Sequence, residues 1–135
     1  MTARGFTMIE LMVALLMVAI TTTVATALAL GGLASTAEAR RADTAAALAA
    51  DLAGRVRALR SVDWTALPPA APCDLPCSPE RLAAQELAQW QAEVASALPD
   101  GTTLLEASAG GHLVIRLAWT ETGGLSRTMS WGIAR

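Results

Sequence analysis

Gly5-Phe6-Thr7-Met8-Ile9-Glu10-Leu11-Met12-Val13-Ala14-Leu15-Leu16 sets a lone carboxylate into a run that is otherwise almost wholly apolar. From Leu11 to Ala37 there is no charged residue. Coiled as a helix, Leu11 to Leu33 rises roughly 34 Å, enough to cross the hydrocarbon of a bilayer. Neither Pro nor Gly interrupts Phe6 to Leu30, so a continuous helix is expected there. Thr21, Thr22 and Thr23 lower its local propensity, and Gly31-Gly32 weaken it further, which makes the glycine pair the expected flexible point.

A carboxylate within such a helix costs roughly 2.5–3.5 kcal/mol at a bilayer centre, so Glu10 needs a partner. A cut between Gly5 and Phe6 would supply one. The new α-amino group of Phe6 would stand at a helix N-terminus, within one turn of Glu10, where the helix dipole also favours an acid. In an assembly of chains the same carboxylate can instead neutralise a neighbour's amine and set the axial register, because mismatched charges are costly when desolvated.

Beyond the glycines the pattern becomes one-sided. Leu48, Leu52, Val56 and Leu59 recur at three- and four-residue spacing, while Asp51, Arg55, Arg57 and Arg60 occupy other faces. We expect one long helix from about Phe6 to about Leu59, its second half laying an apolar stripe on a small head. Trp64 to Pro79 holds five of the six prolines and both cysteines and reads as a loop. Ser78, Pro79 and Glu80 read as N-cap, first helical residue and early-turn acid. The stripe of that second helix is Leu82, Leu87, Trp90, Val94 and Leu98, and Pro99-Asp100-Gly101 ends it.

The remainder alternates with period two. Leu113, Ile115, Leu117 and Trp119 share one strand face, and Leu125, Met129, Trp131 and Ile133 share another after a Gly123-Gly124 turn. With Thr102 to Ala107 as a further strand before Gly110-Gly111, the expected class is α+β: a long N-terminal helix on a small antiparallel sheet. The expected divisions are 1–5 as a leader, 6–33 as a membrane or filament-core helix, and 34–135 as a head that includes the amphipathic half of the helix.

The chain has 135 residues and a net charge of −2, and all ten basic residues are arginine, a balance unlike that of proteins that bind nucleic acid non-specifically. No nucleic-acid partner is expected. His112 is the one histidine and reads as an exposed strand-end residue. With it far from Cys73 and Cys77, no zinc shell can be completed and no nucleophilic arrangement is apparent, so neither a metal, a cofactor nor a catalytic residue is expected. Arg55, Arg57 and Arg60 are candidates for phosphate contact, or simply solvated cations near a helix C-terminus. Of the four tryptophans, Trp90, Trp119 and Trp131 fall on apolar stripes and are expected in the core, against the alternative of a ligand surface that would also use Trp64.

The segment Gly5 to Leu16 resembles the class III prepilin signal, with its Gly-Phe-Thr-Leu-Ile-Glu pattern. That resemblance implies cleavage after Gly5 by a prepilin peptidase, N-methylation of Phe6 and a filament-forming role for Glu10. It places the head in the periplasm and the helix first in the inner membrane, then in a filament with other minor and major pilins. Arg4 faces Arg40 and Arg41 across the span, so charge bias leaves orientation to the resemblance. In such an oxidising compartment Cys73 and Cys77 are expected to form a disulfide around Asp74-Leu75-Pro76. The chain departs from major pilins in having no proline within the apolar helix.

Ala45 to Leu52 running into Arg55-Val56-Arg57, the cysteine pair, Glu86-Leu87-Ala88-Gln89-Trp90, Leu98-Pro99-Asp100-Gly101 and a strand ending in Trp119 are together similar to the PilV-type minor pilins. This implies a structural, non-enzymatic role in priming a pilus tip. A minor pseudopilin of type II secretion and a DNA-uptake pseudopilin are the alternatives. An ordinary secretory signal, cut near Ala25-Thr26-Ala27 or Ala27-Leu28-Ala29, would leave Glu10 unexplained.

Overall fold

A run of leucine, alanine, methionine and valine with no proline propagates as a helix, and in the computed structural model it does so without interruption. The structure describes residues 7–72, 76–108 and 110–134. Helix α1 spans Met8–Ala58, helix α2 Pro79–Ala97, and strands β1 Thr102–Ala107, β2 Leu113–Thr120 and β3 Ser126–Ile133 follow in order. The expected flexible point at Gly31-Gly32 is helical. Helix propagation needs only one new hydrogen bond per residue, and two glycines cost about 1 kcal/mol each, too little to break a helix of this length.

The chain divides into two units, Met1–Ala37 and Glu38–Arg135. In the first, the large apolar side chains from Met8 to Leu33 are all exposed. The helix to which they belong is long and apolar enough to cross a membrane.

The second unit has its own core. Ala45, Ala49, Leu52, Ala53 and Val56 from α1 meet Ala83, Trp90 and Val94 from α2 and the inner face of the sheet. Alanine at the α1 positions lets the backbones come close, and Trp90 uses that closeness by donating its indole N–H to the Leu48 carbonyl at 2.9 Å. Ser78 caps α2, its hydroxyl accepting from the Arg81 N–H at 3.4 Å, with Pro79 as the first helical residue. The helix ends at Ala97, and the chain reverses through Asp100 at φ 52°.

The sheet is an antiparallel meander in the order β1-β2-β3. In register, Leu113 faces Ile133 and Ala107, and Ile115 faces Trp131 and Leu105. Leu113, Ile115, Leu117 and Trp119 are fully buried, as the alternation requires. Two expected core residues are not in the core. Leu82 is 39% exposed, because the inward face of α2 begins one residue later at Ala83. Leu125 is 73% exposed, because it belongs to the turn before β3 rather than to the strand.

Candidate functional site

The first described turn of α1 holds the acid singled out above. Thr7 precedes the helix, and its carbonyl accepts from the N–H groups of Glu10 and Leu11 at 3.1 and 3.2 Å. The Glu10 carboxylate reaches back to the Thr7 N–H at 3.5 Å and to the Thr7 hydroxyl at 3.4 Å. This is half of a capping box, in which an acid at the third helical position satisfies the amide of the cap residue. Thr7-Met8-Ile9-Glu10 carries that signature in its spacing, a signal that hydropathy alone passes over. Glu10 is exposed and keeps acceptor capacity for a further donor. Gly5 and Phe6, the expected cleavage and methylation positions, lie outside the described residues.

The threonines farther along α1 satisfy their own hydroxyls. Thr21 donates to the Met17 carbonyl, Thr22 to the Val18 carbonyl at 2.9 Å, Thr23 to the Ala19 carbonyl at 2.8 Å and Thr26 to the Thr22 carbonyl at 2.8 Å. Each hydroxyl is thereby satisfied within its own helix, which is the condition for a polar group in lipid.

In the head, two charged clusters tie elements together. Arg55 on α1 meets Asp51 at 2.8 Å, Glu86 at 2.7 Å and Glu93 at 3.3 Å, so one guanidinium joins α1 to α2. Burial alone would lower its pKa, but the hydrogen bond and charge of Asp51, the charge of Glu93 and the hydrogen bond of Glu86 raise it above its ordinary value. A cation so engaged by three carboxylates is a poor phosphate ligand, which weighs against the nucleic-acid reading of that arginine. Arg57 is exposed, and Arg60 donates to the Arg57 carbonyl beyond the helix end.

Glu121 is the second centre, and no sequence motif singles it out. Its Oε2 accepts from Arg41 at 3.0 Å, its Oε1 accepts from the Trp119 indole at 2.8 Å, and Arg127 stands 3.8 Å away. Desolvation pushes this carboxyl up, while the bonds from Trp119 and Arg41 and the charges of Arg41 and Arg127 outweigh it and bring the pKa below the ordinary 4.5. Arg41 also donates to the Thr122 hydroxyl at 2.9 Å. A weaker sequence signal does exist: an acid almost directly after a buried strand face that ends in tryptophan.

The remaining candidates fall out simply. His112 is exposed just before β2. Trp90 and Trp119 are buried and Trp131 is half-buried, while Trp64, placed in the loop, is also buried and donates to the Leu59 carbonyl at 3.4 Å. No cluster of metal-ligating residues occurs among the described residues. There is likewise no free cysteine among them; Cys73, the expected partner of Cys77, lies outside them.

Residues 1–26 match the family described as the prokaryotic N-terminal methylation motif. No curated protein and no solved structure is significantly similar to the chain. The fold is α+β and pilin-like, with a long N-terminal helix, a second helix and a three-stranded antiparallel sheet. The motif is the class III prepilin signal and supports a type IV pilin-like or pseudopilin protein, a group of structural subunits. It implies processing by a prepilin peptidase and assembly with other pilins, and together with the apolar helix it is consistent with inner-membrane anchoring.

Proposed function

We propose that the chain is a minor pilin of the type IV pilus, a structural subunit that helps prime assembly at the tip. The observation that supports the pilin-like part of this reading is the coincidence of the methylation motif on residues 1–26 with a helix uncharged from Leu11 to Ala37. The precursor is anchored in the inner membrane through residues 6–33, with the head, residues 34–135, in the periplasm. A prepilin peptidase cuts between Gly5 and Phe6 and methylates Phe6. The exposed amine then pairs with Glu10, whose carboxylate Thr7 already holds toward the helix start. In the filament the same acid meets a neighbour's amine, and 6–33 packs in the core. Cys73 and Cys77 close a small loop on the head.

A minor pseudopilin of type II secretion would share these N-terminal features, and a DNA-uptake pseudopilin would add a basic surface. One genetic experiment separates the readings. Deletion is expected to remove surface pili and twitching while leaving secretion intact, and Glu10→Ala is expected to cut incorporation into pili at least about tenfold, the equivalent of ~1.4 kcal/mol. Loss of secretion with pili retained assigns the chain to the secretion system. Salt-sensitive DNA binding by the purified chain assigns it to DNA uptake. Incorporation of Glu10→Ala at the parental level removes the role given to Glu10.

A further inference from the structure

Between α1 and α2 the chain carries a stretch whose backbone is restricted by covalent geometry. In Leu67-Pro68-Pro69-Ala70-Ala71-Pro72, every residue but Ala70 is a proline or precedes one. The pyrrolidine ring holds φ at about −65°, and the residue before a proline is driven out of the helical region into the extended one. The conformation left to such a segment is the polyproline II helix, with three residues per turn and a rise of ~3.1 Å per residue. Pro68, Pro69 and Pro72 have no N–H to donate, so the stretch can neither add a strand to a sheet nor propagate an α-helix.

The head presents that stretch to solvent. Pro68 to Pro72 are all exposed and lie outside any helix or strand. None of residues 67–72 makes a hydrogen bond to another described residue. The end nearest α1 is pinned: Trp64 is 2% exposed, and its indole N–H donates to the Leu59 carbonyl at 3.4 Å. Asp63 accepts from the Thr65 N–H at 3.1 Å and from the Thr65 hydroxyl at 2.7 Å. Leu67 is half-buried against the core. With three residues per turn, Leu67 and Ala70 share one edge, which leaves free the edge that carries Pro69 and Pro72, about 9 Å apart.

We infer that residues 67–72 are a docking ligand, recognised by a partner protein through a groove lined with tryptophan or tyrosine rings. Such rings fit the segment: their faces pack on proline, and their N–H and O–H groups bond the carbonyls that a polyproline II helix leaves free. A segment already held extended loses little freedom on binding, which offsets the small area it offers. Thr65 to Pro72 bear no charge, so the contact changes little with salt. The inference is independent of which pilin-like role the chain plays. The competing account is a stiff spacer that joins α1 to α2 and meets nothing.

The test uses the full chain in living cells of its own host. A benzoylphenylalanine photo-crosslinker replaces Ala66, exposed beside the segment, and in a control replaces Ala92, exposed on α2. Irradiation at 66 is expected to join the chain to a protein, and mass spectrometry to place the joined peptide among tryptophan or tyrosine residues. Pro69→Ala with Pro72→Ala is expected to reduce that product several-fold, with the products at 92 and the melting temperature in detergent unchanged. Ala70→Pro, which stiffens the segment further, is expected to keep the product or raise it. A product that survives the double substitution, a joined peptide without such aromatic residues, or no protein product at 66 overturns the inference. A double variant that melts lower and loses its products at 66 and 92 together identifies a spacer that only holds the head, and also overturns it.

Discussion

Glu10 and Glu121 are both carboxylates that ought to be in water, and each is kept out of trouble differently. Glu10 leans on the Thr7 amide and hydroxyl and retains room for an incoming amine. Glu121 is 8% exposed and already served by an indole N–H and a guanidinium. Because its folded pKa lies below the unfolded value, its contribution is fully present above about pH 4.5 and is lost as pH falls through the folded value. Glu121→Gln is therefore expected to be less stable than the parent at neutral pH, with the gap closing as the solution is acidified below pH 4.5. Denaturant midpoints of the two full-length proteins in detergent at a series of pH values check this. A gap that stays constant into acid would show that the carboxylate charge is not what matters there.

Among the elements, the tightest constraint is the corner between α2 and β1. A methyl group at Gly101 would lie 2.8 Å from the Val94 carbonyl oxygen and 3.0 Å from that of Leu98, both backbone atoms that cannot swing aside. Gly101→Ala is expected to destabilise the head by about 1–3 kcal/mol. Gly54, inside α1, has nothing within 4 Å of such a methyl, so Gly54→Ala is expected to gain about 0.5–1 kcal/mol. Chemical denaturation in detergent distinguishes the two, and equal shifts would contradict the argument. Much at this scale was legible in the sequence. Ser78-Pro79 and Pro99-Asp100-Gly101 marked the ends of α2, and the alternation Leu113 to Trp119 marked the inner face of β2, since caps and period-two burial are local properties. Leu82 and Leu125 were misplaced because which neighbour turns inward is settled by packing: alanines at 83 and 84 admit the closer approach, and the Gly123-Gly124 turn takes in the residue after it. The Arg55 and Glu121 clusters join residues 31 to 80 positions apart, and no local pattern announces such pairs.

At the scale of the whole molecule, two units answer to two surroundings. The N-terminal one exposes its large apolar side chains and has no buried residue among those described; the C-terminal one buries three of its four tryptophans and orders its charges. The methylation motif covers the start of the first unit alone, yet the function proposed for the chain depends on what happens there. The positions proposed to carry it stand out by residue type and spacing, as a lone acid in an apolar run close after glycine and phenylalanine. The head's particular role was not readable in the same way, since its features are those of any small α+β core. The most direct test is intact-mass analysis with N-terminal sequencing of the chain extracted from membranes of cells that contain a prepilin peptidase. The account predicts a polypeptide that begins at N-methylated Phe6; one that still begins at Met1, or that begins near residue 28, would contradict it.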